Sequence, residues 1–132
     1  GHNRSINRHQ WDYHTLEQQL EDDASTHSVV MRKLCRLIQL RRQQQAFSPS
    51  ATQYTLHLGN QIFALWRQSM TREQSIFCVH NVTNKPFTLR LSDLNLVLTD
   101  PWYDLISGQD ITDMSAELIL EPYQSVWITN KF

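Results

Sequence analysis

The feature that most constrains this chain is a long stretch with helical periodicity, residues 25–46, ahead of a run of strand-like segments. Its apolar residues Val30, Leu34, Leu37 and Ile38 recur at a spacing of three to four, and no glycine or proline interrupts them. On a helical wheel the apolar side chains cover more than half of the circumference. Such a helix needs to be covered from two sides, so we expect partners on both.

The remaining chain, residues 48–132, changes to the period-two alternation that is typical of strands. Tyr54, Leu56 and Leu58 alternate with polar residues, and residues 75–80 are nearly all apolar, as in a central strand buried on both faces. Seven or eight short strands are predicted, including segments at 52–58, 62–66, 75–80, 87–91, 96–98, 118–120 and 126–128, with an irregular corner at 100–108. The last two of these segments are expected to pair as a hairpin.

These elements predict a mainly β fold. We expect an antiparallel Greek-key β-sandwich of about seven to eight strands, preceded by one short and one long α-helix. The short helix is predicted at 16–22, because Thr15 precedes Gln18 by three residues in a capping-box pattern. A chain of 132 residues with 40% hydrophobic residues can bury the core of one domain.

The composition excludes several classes of function. A net charge of -1 provides no electrostatic footprint for nucleic acid or an anionic membrane. No apolar run reaches the roughly 18 residues that span a bilayer. The two cysteines, Cys35 and Cys78, lack metal-ligand or redox spacing. They are interpreted as reduced core residues of a cytoplasmic protein.

No pattern in the chain predicts a catalytic site, a cofactor or a metal. His57 and His80 fall on predicted strands, where satisfied or exposed side chains are favoured over a ligand pair. The acidic run at 21–23 is interpreted as a solvated helix end. There is no nucleophile elbow, and glycines are too few for a phosphate-binding loop. The chain alone is therefore expected to be inactive.

Several short motifs resemble one known family. Residues 100–108, DPWYDLISG, followed by 118–128, LILEPYQSVWI, resemble the close of the C-terminal sheet domain in the alpha-amylase superfamily, with its W-x-D-L-x-x-G corner and final L-x-P-Y-x-x-x-W. Residues 77–82 are similar to the central strand of that domain. Residues 4–9, RSINRH, and 37–47 look like the segment that leads into this domain in the sucrose phosphorylase branch.

The resemblance implies that the chain is a non-catalytic C-terminal domain of a glucosyl-transferring glycoside hydrolase. Residues 1–47 would be the loop and helices that end a (β/α)8 barrel, and residues 48–132 would be the C-terminal sheet domain. In that family a barrel aspartate forms a covalent glucosyl-enzyme, a glutamate serves as acid and base, and phosphate accepts the sugar with retention. Those catalytic residues would lie upstream of Gly1.

The resemblance also implies substrate-binding residues in the parent enzyme. Arg4, Asn7 and Arg8 would lie in the loop after the last barrel strand, where a guanidinium suits bidentate contact with phosphate. Bracing of the barrel mouth is an equal alternative for this loop. The glucoside used by the parent stays open among sucrose, a phosphorylated sucrose, and a glucosyl glycerol or glycerate.

The long helix would be the last helix of that barrel, with one side on the sheet domain and the other on barrel strands that this chain lacks. In the isolated chain we expect the apolar arc around Val30, Leu34 and Ile38 to be exposed, or covered by a second copy or the N-terminal segment. An exposed arc of this kind favours self-association.

Two other functions compete with this interpretation. One is a free-standing carbohydrate-binding sandwich, in which Trp66, Trp102, Tyr103 and Trp127 form a sugar-stacking platform. Burial in the core is favoured over this role for each of these rings, because Trp66 and Trp127 lie in alternating strands. The other is a small protein-interaction module.

Overall fold

The computed structural model describes residues 9–94, 96, 101–113 and 115–130. Within these residues it contains two α-helices and eight strands, together with short 3-10 turns at Gln45–Phe47 and Leu91–Asp93. The elements are α1 (Tyr13–Glu21), α2 (Thr26–Arg42), β1 (Thr52–Leu56), β2 (Ile62–Gln68), β3 (Ser75–Asn81), β4 (Phe87–Arg90), β5 (Trp102–Asp104), β6 (Asp110–Ile111), β7 (Glu117–Leu120) and β8 (Ser125–Asn130).

The chain divides into two compact units, one within residues 1–39 and one within residues 40–132. The last turn of α2 therefore belongs to the same unit as the strands. The domain boundary between residues 47 and 48 stays a prediction.

Helix α1 begins earlier than the sequence pattern predicted. Its N-cap is Asp12, whose carboxylate accepts hydrogen bonds from the backbone N–H and the hydroxyl of Thr15, each at 3.0 Å. These bonds favour the charged form and lower the pKa of Asp12. The prediction that Thr15 caps the helix was wrong, because the better acceptor lies three residues upstream.

Helix α2 begins as predicted but ends at Arg42 rather than at residue 46. Ser25 caps its start and accepts a hydrogen bond of 3.0 Å from the N–H of Ser28. At the other end Gln44 is extended, and the N–H of Ala46 bonds to the side chain of Gln74 at 3.0 Å. A contact with the sheet thus overrides the helical preference of residues 43–46.

The strands form two antiparallel sheets, which confirms the predicted sandwich. The large sheet has six strands in the order β1-β2-β3-β8-β5-β6, and the small sheet pairs β4 with β7. Strand β3 lies inside the large sheet, between β2 and β8, and its residues 76–79 are all buried. The apolar segment at 75–80 is therefore the central strand that its composition indicated.

The predicted hairpin at 118–128 was wrong. Leu118 pairs with Leu89 and Leu120 pairs with Phe87, so β7 belongs to the small sheet, whereas β8 pairs with β3 and β5 in the large one. Both segments are short and apolar, and sequence adjacency alone favoured a hairpin. The chain instead crosses from one sheet to the other at residues 121–124.

Two further predictions concern the corner at 100–108 and the strand at 96–98. The corner at 100–108 was expected to be irregular, but Trp102–Asp104 forms β5, which pairs with β6 and β8. Of the predicted strand at 96–98, residues 97 and 98 lie outside the described residues.

The large sheet has two differently covered faces. Its inner face packs against the small sheet and carries Phe77, Val79 and Ile128, all fully buried. Its outer face carries Ile76 and Cys78, which pack with the segment around Ala46 and with Leu105. We use the names inner face and outer face in this sense below.

Candidate functional site

The four aromatic side chains proposed as a sugar platform do not share a surface. Trp66 and Trp102 belong to the inner-face core, where Trp102 is only 2% exposed, whereas Tyr103 and Trp127 pack on the outer face. The Trp66 ring stacks on Phe77 with a centroid distance of 5.5 Å. The sugar-platform alternative is therefore contradicted, because alternation along the strands sends these rings to opposite sides, where they pack in the core as the sequence favoured.

Two titratable side chains of the large sheet, His80 and Cys78, are shielded by burial. His80 Nδ1 lies 2.7 Å from the hydroxyl of Ser125, and burial lowers the pKa of His80. Burial raises the pKa of the Cys78 thiol to about 12, so that it stays protonated near neutral pH. Cys35, in contrast, is exposed, and its predicted place in the core was wrong. Among the described residues, no group of three or more His, Cys, Asp or Glu side chains could hold a metal ion.

The W-x-D-L-x-x-G motif builds a corner rather than a catalytic site. The carboxylate of Asp104, which is buried, accepts three backbone N–H groups, from Ile106 at 3.1 Å, Ser107 at 3.1 Å and Trp127 at 2.9 Å. Gly108 ends the corner with a φ of 76°, a conformation that favours glycine. The motif therefore holds the end of β5 against β8.

Asn81 plays a similar part at the other end of β3. Its buried side chain donates to the carbonyls of Lys85 at 2.7 Å and Glu121 at 3.1 Å, and it accepts from the N–H and hydroxyl of Thr83. The backbone N–H of Asn81 also donates to the carbonyl of Gln124 at 2.9 Å. One side chain thus ties the turn after β3 to the point where the chain changes sheet.

Two side chains fix the segment that follows α2 to the large sheet. Arg67 donates to the carbonyls of Ala46 at 2.8 Å and Ser48 at 2.6 Å. Gln74 is buried, accepts the N–H of Ala46 and donates to the side chain of Gln44 at 2.7 Å. Residues 44–48 are therefore packed on the outer face of the large sheet and held there by side chains of the sheet.

The apolar arc of α2 is largely uncovered. Val30, Leu34 and Ile38 are 57%, 51% and 46% exposed, as the sequence predicted for a helix without its second partner. A groove of about 270 Å³ in the same compact unit is lined by apolar side chains that include Trp11 and Leu20. This face is the main candidate docking surface of residues 9–39.

A cleft of about 260 Å³ lies beside Asp104, Asp110 and Glu117. Both oxygens of the Asp104 carboxylate already accept backbone N–H groups, and no aromatic side chain is among the described residues that line the cleft. It therefore lacks the stacking surface that a sugar site normally uses. The predicted substrate contacts Arg4, Asn7 and Arg8 lie outside the described residues.

Comparison with known proteins identifies two relevant curated relatives. A glucosylglycerate phosphorylase from Spirochaeta thermophila is 32% identical over 84 residues, which are 64% of this chain and 14% of the relative. A glucosylglycerate phosphorylase from Allomeiothermus silvanus is 30% identical over 125 residues, which are 95% of this chain and 20% of the relative. The chain thus spans a fifth or less of the length of these relatives. No protein-family model matches it.

The fold also matches a solved structure. The trehalose-6-phosphate hydrolase of Bacillus licheniformis superposes with a TM-score of 0.61 at 17% identity, over 86% of this chain and 20% of that one. At this identity the match supports the fold and not the activity. None of the described helices is both long and apolar enough to cross a lipid bilayer.

Proposed function

We propose that this chain, which is a C-terminal region of an alpha-amylase superfamily enzyme, is the non-catalytic sheet domain of a sucrose phosphorylase-like glucoside phosphorylase. The observation that carries the proposal is the alignment in which 95% of the chain matches only 20% of a phosphorylase. Within the described residues, the Asp104 carboxylate and the His80 imidazole serve hydrogen bonds of the fold. The chemistry would then belong to the rest of the parent polypeptide.

The proposed role of the chain is to pack on and stabilise the catalytic barrel. Helix α2, with Val30, Leu34 and Ile38 about half exposed, has the wide apolar face of a helix that needs a second partner. Barrel strands of the parent would supply that partner. The apolar face of α2 would then be buried in the whole enzyme, which we place in the cytoplasm.

The parent's substrate is proposed to be glucosylglycerate, since that compound is in the names of both relatives. A barrel aspartate would displace glycerate from the anomeric carbon while a glutamate protonates the leaving oxygen. Phosphate would then attack the glucosyl-enzyme and release glucose 1-phosphate with retained configuration. Arg4, Asn7 or Arg8 would contact phosphate or the leaving group in this parent enzyme.

An activity comparison tests this proposal. With glucosylglycerate and phosphate, the parent polypeptide should release glucose 1-phosphate, whereas the isolated 132-residue chain should release none, because the catalytic carboxylates lie upstream of it. Omitting phosphate is the control and should suppress product formation by the parent. Turnover by the isolated chain would refute a non-catalytic role. A parent that accepts sucrose but not glucosylglycerate would refute only the substrate.

Self-association of the isolated chain is a second expectation. With the arc around Leu34 uncovered, two copies can bury it against each other, so the sedimentation coefficient should rise with protein concentration. Leu34→Glu should abolish that rise, whereas Lys33→Glu, an exposed position next to it, should not. A strict monomer at all concentrations would refute the use of this face between copies.

A further inference from the structure

We propose that the outer face of the large sheet, around Phe63 and His80, is the surface on which the preceding catalytic part of the parent enzyme docks. This inference rests on the proposed function and names the contact surface within residues 40–132. Phe63 is 51% exposed as the second residue of the seven-residue strand β2, although its neighbours Ile62 and Ala64 are buried. A large apolar side chain left open there indicates an unfilled contact.

The exposed end of the outer face carries two aromatic rings that contact each other. Phe63 pairs with His80 across the strands, and their rings stack with a centroid distance of 6.0 Å and an interplanar angle of 27°. The hydroxyl of Ser125 bonds to His80 Nδ1 at 2.7 Å and fixes the orientation of the imidazole. A ring held in place, such as that of His80, loses little side-chain entropy when a partner covers it.

The exposed patch formed by Phe63 and His80 continues along the outer face into residues that are covered. In the next row, Leu65, Cys78 and Trp127 face each other across three strands, and Trp127 packs on Phe47 with a centroid distance of 5.0 Å. Phe47 belongs to the segment through which the chain arrives from α2. The outer face is thus already covered at one end by upstream chain and is open at the end near Phe63.

The direction of the chain identifies the occupant. Ala46 is fully buried on the outer face, and its N–H and carbonyl are bound by Gln74 and Arg67, so the polypeptide approaches the sheet from this side. The chain is a C-terminal region that spans a fifth or less of its curated relatives, so most of the parent lies upstream. An apolar surface of that upstream part, and not a separate protein, is therefore the partner that fits.

The chemistry of the patch supports an apolar occupant. Arg67, the cation of β2 on this face, is already used by the carbonyls of Ala46 and Ser48 and by Gln53. Burial lowers the pKa of His80, which favours the neutral imidazole. An apolar helix face could cover the patch without leaving a charge buried and unpaired.

Hydroxyl-radical footprinting of the isolated chain and of the parent polypeptide tests the inference. Phe63 and His80 should react several-fold more slowly in the parent, because the docked part excludes solvent from them. Tyr54 is the matched control, since it is 46% exposed and its ring packs against that of Trp66, an inner-face residue, with a centroid distance of 4.9 Å. Its reactivity should be equal in the two proteins.

Each other outcome overturns the inference in a recognisable way. Equal reactivity of Phe63 in both proteins would refute docking on the outer face, although parent activity would still support the proposed function. Protection that grows with the concentration of the isolated chain would identify a second copy as the occupant, and protection by added maltooligosaccharide would identify a sugar site. Absence of any larger polypeptide that contains the chain would refute the proposed function itself.

Discussion

Replacing Asp104 by alanine should destabilise the sheet more than any other single change to a polar side chain. The substitution leaves the N–H groups of Ile106, Ser107 and Trp127 without their acceptor in a corner where Asp104 is only 6% exposed. An unsatisfied buried donor costs about 1–3 kcal/mol, so we expect a loss of about 4 kcal/mol in the free energy of unfolding. Urea denaturation followed by tryptophan fluorescence measures it.

Two variants make the Asp104 experiment specific. Asp104→Asn keeps the shape of the side chain but places an amide group against one of the donors, so its loss should be intermediate. Asp113→Ala removes an exposed carboxylate whose hydrogen bonds, within the described part of the chain, go to Ser115, two residues away, and should stay within the scatter of surface substitutions. Equal stability of Asp104→Ala and Asp113→Ala would contradict the role assigned to the corner.

Asn81→Ala should have the second-largest effect. It removes the donors to the carbonyls of Lys85 and Glu121 and the acceptor of Thr83 in one step, at a side chain that is 2% exposed. We expect a loss of about 3 kcal/mol, because both the turn after β3 and the crossing between sheets lose their support. Thermal unfolding by circular dichroism gives the corresponding fall in Tm.

Asn81→Asp separates the hydrogen bonds from the volume of the side chain. It keeps the acceptor for Thr83 but turns a carboxylate oxygen toward the carbonyls of Lys85 and Glu121. Its folded-state pKa should be raised, so the variant should be relatively more stable when acid protonates the carboxyl, and less stable as pH rises above about 4. Asn60→Ala, in the exposed turn between β1 and β2, is the control and should change little.

Local patterns were enough to predict much of this fold. The helical spacing of Val30, Leu34 and Ile38 predicted α2, and the apolar run in β3 predicted a central strand, because both patterns depend on burial of one element. The sequence also predicted the exposed apolar face of α2, since an apolar arc that covers more than half of the helix circumference needs two partners. The resemblance to the alpha-amylase superfamily depended on the motifs around Asp104 and Asn81, which the structure explains as hydrogen-bonded corners.

The errors concern choices that contacts distant in sequence decide. The pairing of β7 with β4 joins residues about thirty positions apart, and no period in the sequence distinguishes it from a hairpin with β8. Helix α2 stops early because Gln74, far along the chain, binds Ala46. The two faces of the large sheet separate Trp66 from Trp127, which a count of aromatic residues does not reveal.

The stacked pair of Phe63 and His80 was missed for a related reason. Each residue looked like an ordinary member of an alternating strand, and only the register between β2 and β3 brings their rings together. The signal that was available is the placement of Phe63 between Ile62 and Ala64, on the face opposite to the inner core. An apolar residue on both faces of one strand indicates that both faces have partners.

The most direct test of the central claim is the mass of the native polypeptide that contains this sequence. Extracts of the source cells, probed with an antibody raised against the 132-residue chain and confirmed by peptide mass spectrometry, would provide it. We expect a species roughly five times as heavy as this chain, since 95% of the chain aligns with only 20% of the relative from Allomeiothermus silvanus. A native species of 15.6 kDa would contradict it.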